Sequence, residues 1–398
     1  MPRPVRIATA PEGAPAAETR AKASGYLPTL DGWRAVAILL VILAHLRFRL
    51  FGPEGAFPNA RLEEECAHFV VGVPIFFGIS GLLICSRLLE ERALRGSIDL
   101  AGFYVRRFFR ILPPYLLLLG AILVLGARSG ADIAWSDIQA SLLFYRNYVP
   151  GENVASWYTG HFWSLAVEEH FYLLLPGILV LFRSARAVQV LAMLAAAVVA
   201  WRAVQHQTAL VSDEFRFLTY RTDLRIDGLL LGALGACALT SAGLRARLRS
   251  RLTPRVVLLC LLALGLAPWM GIPQVELDAW VRHCTLETFT GCIVPVMLIG
   301  TILAPHSVLG RCLESAPLRW IGQLSYSLYL WQQLFLTPIR APFTNVLVPA
   351  LVPEWMLDWP WDLAAVLACA CASYYLVERP LTRLGRRLAT PATPGRAP

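Results

Sequence analysis

Charged residues are scarce in this 398-residue sequence, and its cysteines lack metal-binding spacing. Only 16% of the residues are charged and 57% are hydrophobic, a balance that excludes an ordinary soluble protein when the apolar residues form long runs. None of the nine cysteines belongs to a C-x-x-C motif or has a histidine at zinc-ligand spacing. We therefore expect no metal site and interpret the cysteines as small core residues.

Two other patterns are missing. Residues 1–25 lack the apolar run and the small-residue cleavage site of a signal peptide, so this stretch and residues 386–398 are predicted to be disordered cytoplasmic tails. No internal repeat is visible, which argues mildly against the common transporter architectures. The remaining residues, 26–385, are predicted to form one membrane domain.

Hydropathy predicts an all-α integral membrane protein with about ten transmembrane helices. The net charge of +9 comes mainly from arginines in the tails and in the connections on one side of these spans. The positive-inside rule then places both termini in the cytoplasm, and the basicity reports topology instead of nucleic-acid binding. The ten predicted spans lie near residues 33–50, 69–87, 111–127, 163–183, 187–205, 226–242, 256–271, 286–304, 320–341 and 361–378.

The first span carries two ionisable residues. In "DGWRAVAILLVILAH", Arg34 and His45 are eleven residues apart, so they share one helix face and lie roughly 16 Å apart along the axis. Arg34 could extend to lipid headgroups and His45 could bond a neighbouring helix. The functional interpretation is a polyanionic ligand bound at Arg34, with a long arm that reaches His45, whose neutral imidazole serves as a general base.

Two further stretches place charge within or beside predicted spans. In "HFWSLAVEEHFYLLLP", Ser164 and Glu168 share a helix face and Glu169 is turned away by about 100°; both glutamates could simply be acids near a helix N-terminus. In "FYVRRFFRILPPY", three arginines precede a Pro-Pro pair that is expected to interrupt the pattern. Such a cluster fits a phosphate group or an anionic lipid equally well; its members are Arg106, Arg107 and Arg110.

The stretch "RTDLRIDGLLLGA" places Arg225 and Asp227 at the outer entrance of the sixth predicted span. Side chains of this kind fit a polar acceptor that approaches from outside. A structural ion pair is the simpler use of the same residues.

Taken together, these stretches resemble the bacterial acyltransferase-3 family of integral membrane acyltransferases. The resemblance covers about residues 26–385 and rests on seven ordered motifs. They are "LPTLDGWRAVAILLVILAH", "GVPIFFGISGLLI", "FYVRRFFRILPPYLL", "HFWSLAVEEHFYLLLP", "RIDGLLLGA", "IGQLSYSLYLW" and "YLVERPL".

The resemblance implies a multi-pass protein of the bacterial cytoplasmic (inner) membrane. Its expected activity is transfer of an acyl group, commonly acetyl, from cytoplasmic acyl-coenzyme A to a hydroxyl of an extracytoplasmic glycan. Acyl-coenzyme A, a carbohydrate or glycosylated acceptor and membrane lipids are the expected partners, with no nucleic acid. The expected residues are His45 and Glu168 for catalysis, Arg34, Arg106, Arg107 and Arg110 for the donor, and Glu169, Arg225 and Asp227 for the acceptor.

This sequence departs from the family pattern where histidine often follows the tryptophan of "LYLW"; here the residue is Gln332, which makes a catalytic role at that position doubtful. Phenylalanine is usual where Leu82 stands. His45 as a general base and an acyl-histidine intermediate both stay open. The alternatives to glycan acylation are acylation of a small glycosylated natural product, such as a macrolide, and a non-enzymatic transporter or flippase of lipid-linked glycan.

Overall fold

A computed structural model describes residues 27–53, 55–149, 153–209, 220–266, 278–338 and 347–389. These residues form helices and connecting segments, with no β-strand among them. The α-helices are α1 (Pro28–Leu50), α2 (Ala60–Ala67), α3 (Gly72–Arg95), α4 (Leu100–Ser129), α5 (Trp135–Leu142), α6 (Trp157–Gly160), α7 (Phe162–Leu181), α8 (Ser184–Ala209), α9 (Thr222–Arg225), α10 (Asp227–Thr240), α11 (Ala242–Arg251), α12 (Pro254–Leu266), α13 (Asp278–Leu303), α14 (Val308–Leu313), α15 (Ala316–Phe335), α16 (Trp361–Ser373) and α17 (Arg379–Leu388). Short 3₁₀ turns cover His68–Val71, Arg146–Tyr148, Val154–Ser156 and Glu354–Met356, and one π-helical turn covers Tyr374–Glu378.

The all-helical membrane architecture expected from hydropathy is confirmed. Within the described residues, seven helical segments are long and apolar enough to cross a membrane, or eight if α10 and α11, which meet at a 109° bend, form one span. The predicted number of ten and the cytoplasmic placement of the termini stay predictions. The seventh predicted span corresponds to the 13-residue α12, and its residues 267–271 lie outside the described residues. The ninth corresponds to α15, whose 20 residues include several polar side chains.

The predicted interruption after the arginines of the third motif is wrong. Helix α4 is continuous from Leu100 to Ser129, with Pro113 and Pro114 inside it. Proline removes the hydrogen bond to the carbonyl four residues earlier, here those of Phe109 and Arg110. Next to them, a neighbouring helix contacts α4, because the Tyr326 hydroxyl donates to the Ile111 carbonyl at 2.8 Å. The arginines and the apolar stretch therefore belong to one continuous helix.

The turn between α3 and α4 determines where helix α4 begins. Gly96 ends α3 with a φ of 76°, a left-handed conformation that glycine adopts without steric cost. Asp99 then caps α4, because its side chain accepts a hydrogen bond from the Gly102 amide at 2.9 Å. The turn brings the last residues of α3 beside the first arginine of α4.

Close helix contacts at glycines hold the bundle together. A Cβ atom on Gly81 of α3 would collide with the Leu229 carbonyl of α10, and one on Gly322 of α15 would collide with the Asp31 carbonyl of α1. Small residues let membrane helices approach closely, where dispersion and weak polar contacts replace the hydrophobic effect as the cohesive force. These contacts make α1 with α15 and α3 with α10 the tightest pairs around the site described below.

Both predicted tails lie largely outside the described residues. Nothing in residues 1–25 or 390–398 is described. Helix α17 extends to Leu388, three residues beyond the predicted end of the membrane domain at 385.

Candidate functional site

A cavity lies among α1, α3, α4, α7 and α15. Its empty volume, including the space at its open mouth, is about 800 Å³. Charged and hydroxyl side chains line it beside aromatic and aliphatic ones, so it suits a ligand with both polar and apolar parts. Five of the nine residues predicted from the sequence line it: Arg34, Arg107, Arg110, Glu168 and Glu169.

One end of the cavity carries the guanidinium groups of Arg34, Arg107 and Arg110; we call it the arginine end. Arg34 is paired with Asp31 one turn earlier on α1, at 2.8 Å. Arg107 packs over the Tyr172 ring, with its Cζ atom 4.6 Å from the ring centroid. Arg110 makes no ion pair with any described residue. Among the three, Arg34 alone is in ion-pair contact with a described carboxylate, so the guanidinium groups of Arg107 and Arg110 are open to an anionic ligand at this end.

The structure separates Arg106 from the other two arginines of its motif. Arg106 does not line the cavity. Its guanidinium pairs with Glu91 of α3 at 3.4 Å, and Glu91 also accepts from the Asp99 amide at 3.2 Å. Arg106 therefore fastens the turn between α3 and α4.

Glu168 and Glu169 stand on α7 beside the cavity. The Tyr172 hydroxyl donates to Glu168 at 2.6 Å, and the same tyrosine ring supports Arg107. No hydrogen bond joins Glu168 to His45 within the part of the chain that the structure describes. The glutamates thus belong to the middle of the cavity and its arginine end.

His45 does not line the cavity; it lies on α1 three turns after Arg34, and we call this side of the site the histidine end. Its Nδ1 atom is 2.9 Å from the Val41 carbonyl. Since a carbonyl only accepts, Nδ1 carries the hydrogen in the neutral ring, and Nε2 is left as a proton acceptor. The ring also meets Trp157 edge-on, with centroids 5.7 Å apart. In this tautomer Nε2 is the nitrogen that can act as a general base.

Ser164 and Tyr329 form the cavity wall nearest to the histidine end. Their hydroxyl oxygens are 2.6 Å apart, and the Tyr329 hydroxyl lies 2.9 Å from the His161 carbonyl. Both residues line the cavity. Tyr172, Tyr326 and Tyr329 are lining residues that the sequence analysis did not assign, although Tyr172 follows Glu168 by one helical turn and so could have been found from spacing.

Arg225 and Asp227 do not line the cavity and do not pair with each other. Arg225 forms an ion pair with Glu287 of α13, and Asp227 forms a buried ion pair with Arg202 of α8. The Arg225 guanidinium also lies over the Trp163 ring at 5.2 Å. Both residues therefore form structural ion pairs, the simpler use considered from the sequence, but with partners on two other helices.

A buried carboxylate that was not assigned from the sequence lies in the π-helical turn. Glu378, from the "YLVERPL" motif, is 6% exposed and accepts a hydrogen bond from Ser327 at 2.8 Å. It interacts electrostatically with Arg34 and Arg110. Single-turn π-helices often occur at functional sites, and this turn places a counter-charge behind the arginine end.

Among the described residues, no group of three or more His, Cys, Asp or Glu side chains is arranged to hold a metal ion. The candidate site therefore consists of the cavity, its arginine end and the imidazole of His45.

Comparison with known proteins gives one family and several relatives. The model of the acyltransferase-3 family, described as an acyltransferase domain, matches residues 27–378. A putative peptidoglycan O-acetyltransferase, YrhL of Bacillus subtilis, is 29% identical over 390 residues, covering 91% of this chain and 56% of the relative. The peptidoglycan O-acetyltransferase OatA of Listeria monocytogenes is 28% identical over 385 residues, covering 90% and 56%.

The O-acetyltransferase OatA of Staphylococcus aureus is 26% identical over 374 residues, covering 90% of this chain and 58% of the relative. This chain therefore spans little more than half the length of these curated relatives. No solved structure matches it.

Proposed function

This chain belongs to the acyltransferase-3 family, and on that premise we propose that it is a membrane O-acyltransferase. The donor is a cytoplasmic acyl-coenzyme A, with acetyl as the group transferred, and the acceptor is a hydroxyl of an extracytoplasmic glycan. The observation that carries the proposal is the cavity lined by three guanidinium groups, with the imidazole of His45 farther along the helix that carries Arg34. A bacterial cytoplasmic membrane location follows from the same proposal.

The arginine end suits the phosphates of the donor. Guanidinium groups bind phosphate oxygens through two parallel hydrogen bonds, and Arg34, Arg107 and Arg110 all face the cavity. The uncharged pantetheine arm would then lie along the middle of the cavity, beside Glu168 and Tyr172. Glu168 acts there by hydrogen bonding, because its contact is with Tyr172 and not with His45.

His45 acts as the general base in this proposal. Its Nε2 atom accepts the proton of the acceptor hydroxyl as that oxygen attacks the thioester carbonyl. The hydrogen bond between Nδ1 and the Val41 carbonyl holds the required tautomer. The thiol of coenzyme A is the leaving group, so each transfer releases one thiol.

The acceptor assignment rests on the names of the relatives. YrhL and the Listeria OatA are named for peptidoglycan O-acetylation, which supports a cell-wall glycan for this chain. Glu169, Arg225 and Asp227 as acceptor-binding residues stay a prediction. Because Arg225 and Asp227 are each engaged in an ion pair, they act on an acceptor only if it competes with those partners.

The first experiment measures thiol release from radiolabelled acetyl-coenzyme A by the purified protein in liposomes, with a crude cell-envelope acceptor. Wild type is expected to release thiol and label the acceptor. His45→Ala should lower kcat by about 10²- to 10⁴-fold through loss of the general base, and Arg34→Ala should mainly raise KM for the donor.

His306→Ala is the matched control, because His306 is an exposed imidazole outside the cavity, and it should keep wild-type activity. Absence of thiol release by folded wild type, with acetyl and longer acyl donors, would refute the enzyme proposal. Transport of a lipid-linked glycan would then be tested next, since a transporter releases no thiol.

A further inference from the structure

Two adjacent glutamines on α15 differ in their hydrogen bonding. Both side chains are buried, with Gln332 0% and Gln333 4% exposed. Gln333 is engaged, because its side-chain oxygen accepts from the His161 amide at 3.1 Å. Neither the nitrogen nor the oxygen of the Gln332 amide has a hydrogen-bond partner among the described residues. A buried amide without a partner is costly, so it marks a place where a ligand completes the hydrogen bonding.

Gln332 lies at the same depth as His45. Near the ends of their helices, Arg49 of α1 donates to the Thr337 carbonyl just beyond α15, at 2.8 Å. His45 precedes Arg49 by four residues and Gln332 precedes Thr337 by five, so both lie roughly 6–8 Å from this contact along nearly parallel helices. Trp157 connects the two positions, since its ring meets His45 and its Nε1 donates to the Gln333 carbonyl at 3.2 Å.

Gln332 also lies on the cavity side of its helix. It follows Ser325, which lines the cavity, by seven residues, or about 20° less than two full turns. Gln332 is therefore placed above Ser325 on the same face, displaced toward the histidine end. Tyr329, the lining residue beside Ser164, lies one turn before it.

A buried imidazole beside this position lies close to His45. The His161 ring is 4% exposed, and the Gln333 side chain and the Leu330 carbonyl lie within hydrogen-bonding reach of it, while His45 is close enough to interact with it electrostatically. Gln333 is thus engaged by His161 through both the ring and the backbone amide, whereas the neighbouring Gln332 amide has no partner among the described residues.

We propose that the side-chain amide of Gln332 donates a hydrogen bond to the carbonyl oxygen of the acyl group during its transfer. The inference rests on the proposed function and adds a catalytic residue to it, in place of the sequence expectation that argued against a catalytic role at position 332. Donors placed where negative charge develops stabilise the tetrahedral intermediate of acyl transfer. An amide supplies this hydrogen bond without any change in its own protonation.

The step balances with the groups already named. The acceptor oxygen forms a bond to the thioester carbon, its proton passes to Nε2 of His45, and the carbonyl electron pair moves to the oxygen that Gln332 binds. When the carbonyl re-forms, the carbon–sulfur bond breaks, and His45 returns the proton to the sulfur of coenzyme A. The products are an ester and a thiol, and no oxidant or further reactant is required.

The test compares Gln332→Met with Gln333→Met in purified full-length protein, using thiol release from acetyl-coenzyme A and thermal unfolding. Methionine has nearly the shape of glutamine without the amide. Gln332→Met should lower kcat by about 10²- to 10³-fold, leave KM for acetyl-coenzyme A within about threefold, and unfold no earlier than wild type, because it removes an unpartnered polar group. Gln333→Met should unfold earlier, because it loses the bond to the His161 amide.

Gln332→His supplies a replacement N–H donor and should recover at least about tenfold in kcat over Gln332→Met. The inference is overturned if Gln332→Met keeps a kcat within threefold of wild type, or if its activity falls only together with a loss of thermal stability as large as that of Gln333→Met. An inactive wild type would instead refute the proposed function, so the two failures are distinguishable.

Discussion

The arginines on two sides of the bundle are paired very differently. Arg202 and Arg225 each meet a carboxylate, Asp227 and Glu287. At the arginine end, Arg34 has Asp31, while Arg107 rests on an aromatic ring and Arg110 has no ion-pair partner among the described residues. Ion pairs between helices hold them together, whereas guanidinium groups that line a cavity without an ion-pair contact are available to an anionic ligand. The difference separates structural arginines from candidate binding residues, which residue type alone cannot do.

The largest effect is expected from breaking the buried pair between α8 and α10. Arg202→Met leaves the Asp227 carboxylate buried without its cation, which should cost about 3–5 kcal/mol of stability. Thermal unfolding in detergent measures the loss. The double variant Arg202→Met with Asp227→Leu should recover most of it, since no unpaired charge remains. A single variant that unfolds at the wild-type temperature would contradict the structural interpretation of this pair.

A smaller effect, on binding instead of stability, is expected at the arginine end. Arg110→Gln removes one charged hydrogen-bond donor to phosphate and should weaken donor binding by about 1.5–3 kcal/mol, or about 10- to 150-fold in KM. Its thermal stability should change little, because Arg110 makes no ion-pair contact with a described carboxylate and its attraction to Glu378 is opposed by repulsion from Arg34. Measuring the rate at varied acetyl-coenzyme A concentrations gives KM and checks this prediction. An unchanged KM would show that Arg110 does not bind the donor.

The smallest effect is expected at Arg106, which is the matched control on the same helix. Its ion pair with Glu91 is partly exposed, and such pairs contribute about 0.2–1 kcal/mol. Arg106→Gln should therefore change KM for acetyl-coenzyme A by less than about threefold, with only a slight loss of stability. A rise in KM equal to that of Arg110→Gln would restore the sequence prediction that all three arginines bind the donor.

Local spacing predicted part of the site from the sequence. Arg34 and His45 were placed on one helix, and α1 is continuous across both residues. The seven motifs also predicted the family that the chain matches. These features depend on helical periodicity and on short segments, which a single sequence displays directly.

Other features depend on contacts between distant residues. The sequence placed Arg106 in one cluster with the other two arginines of its motif, but the fold pairs Arg106 with Glu91 and brings Arg107 to Tyr172. The continuity of α4 through its two prolines accompanies a hydrogen bond from Tyr326, 215 residues away along the chain. The carboxylate partners of Arg202 and Arg225 likewise come from other helices. One sequence without tertiary contacts gives no means of choosing among these pairings.

Helix α1 has a consequence for the choice of donor. A single helix carries both Arg34 and His45, so in the proposed reaction the distance along the helix between the donor-binding arginine and the base is set by eleven residues at 1.5 Å each, roughly 16 Å. A short acyl thioester without the nucleotide could reach His45, but it would have no phosphate for Arg34 to bind. Nothing would then hold its carbonyl carbon beside the imidazole. The protein would thus select its donor by length as much as by charge, and the acyl group itself would contribute little to recognition.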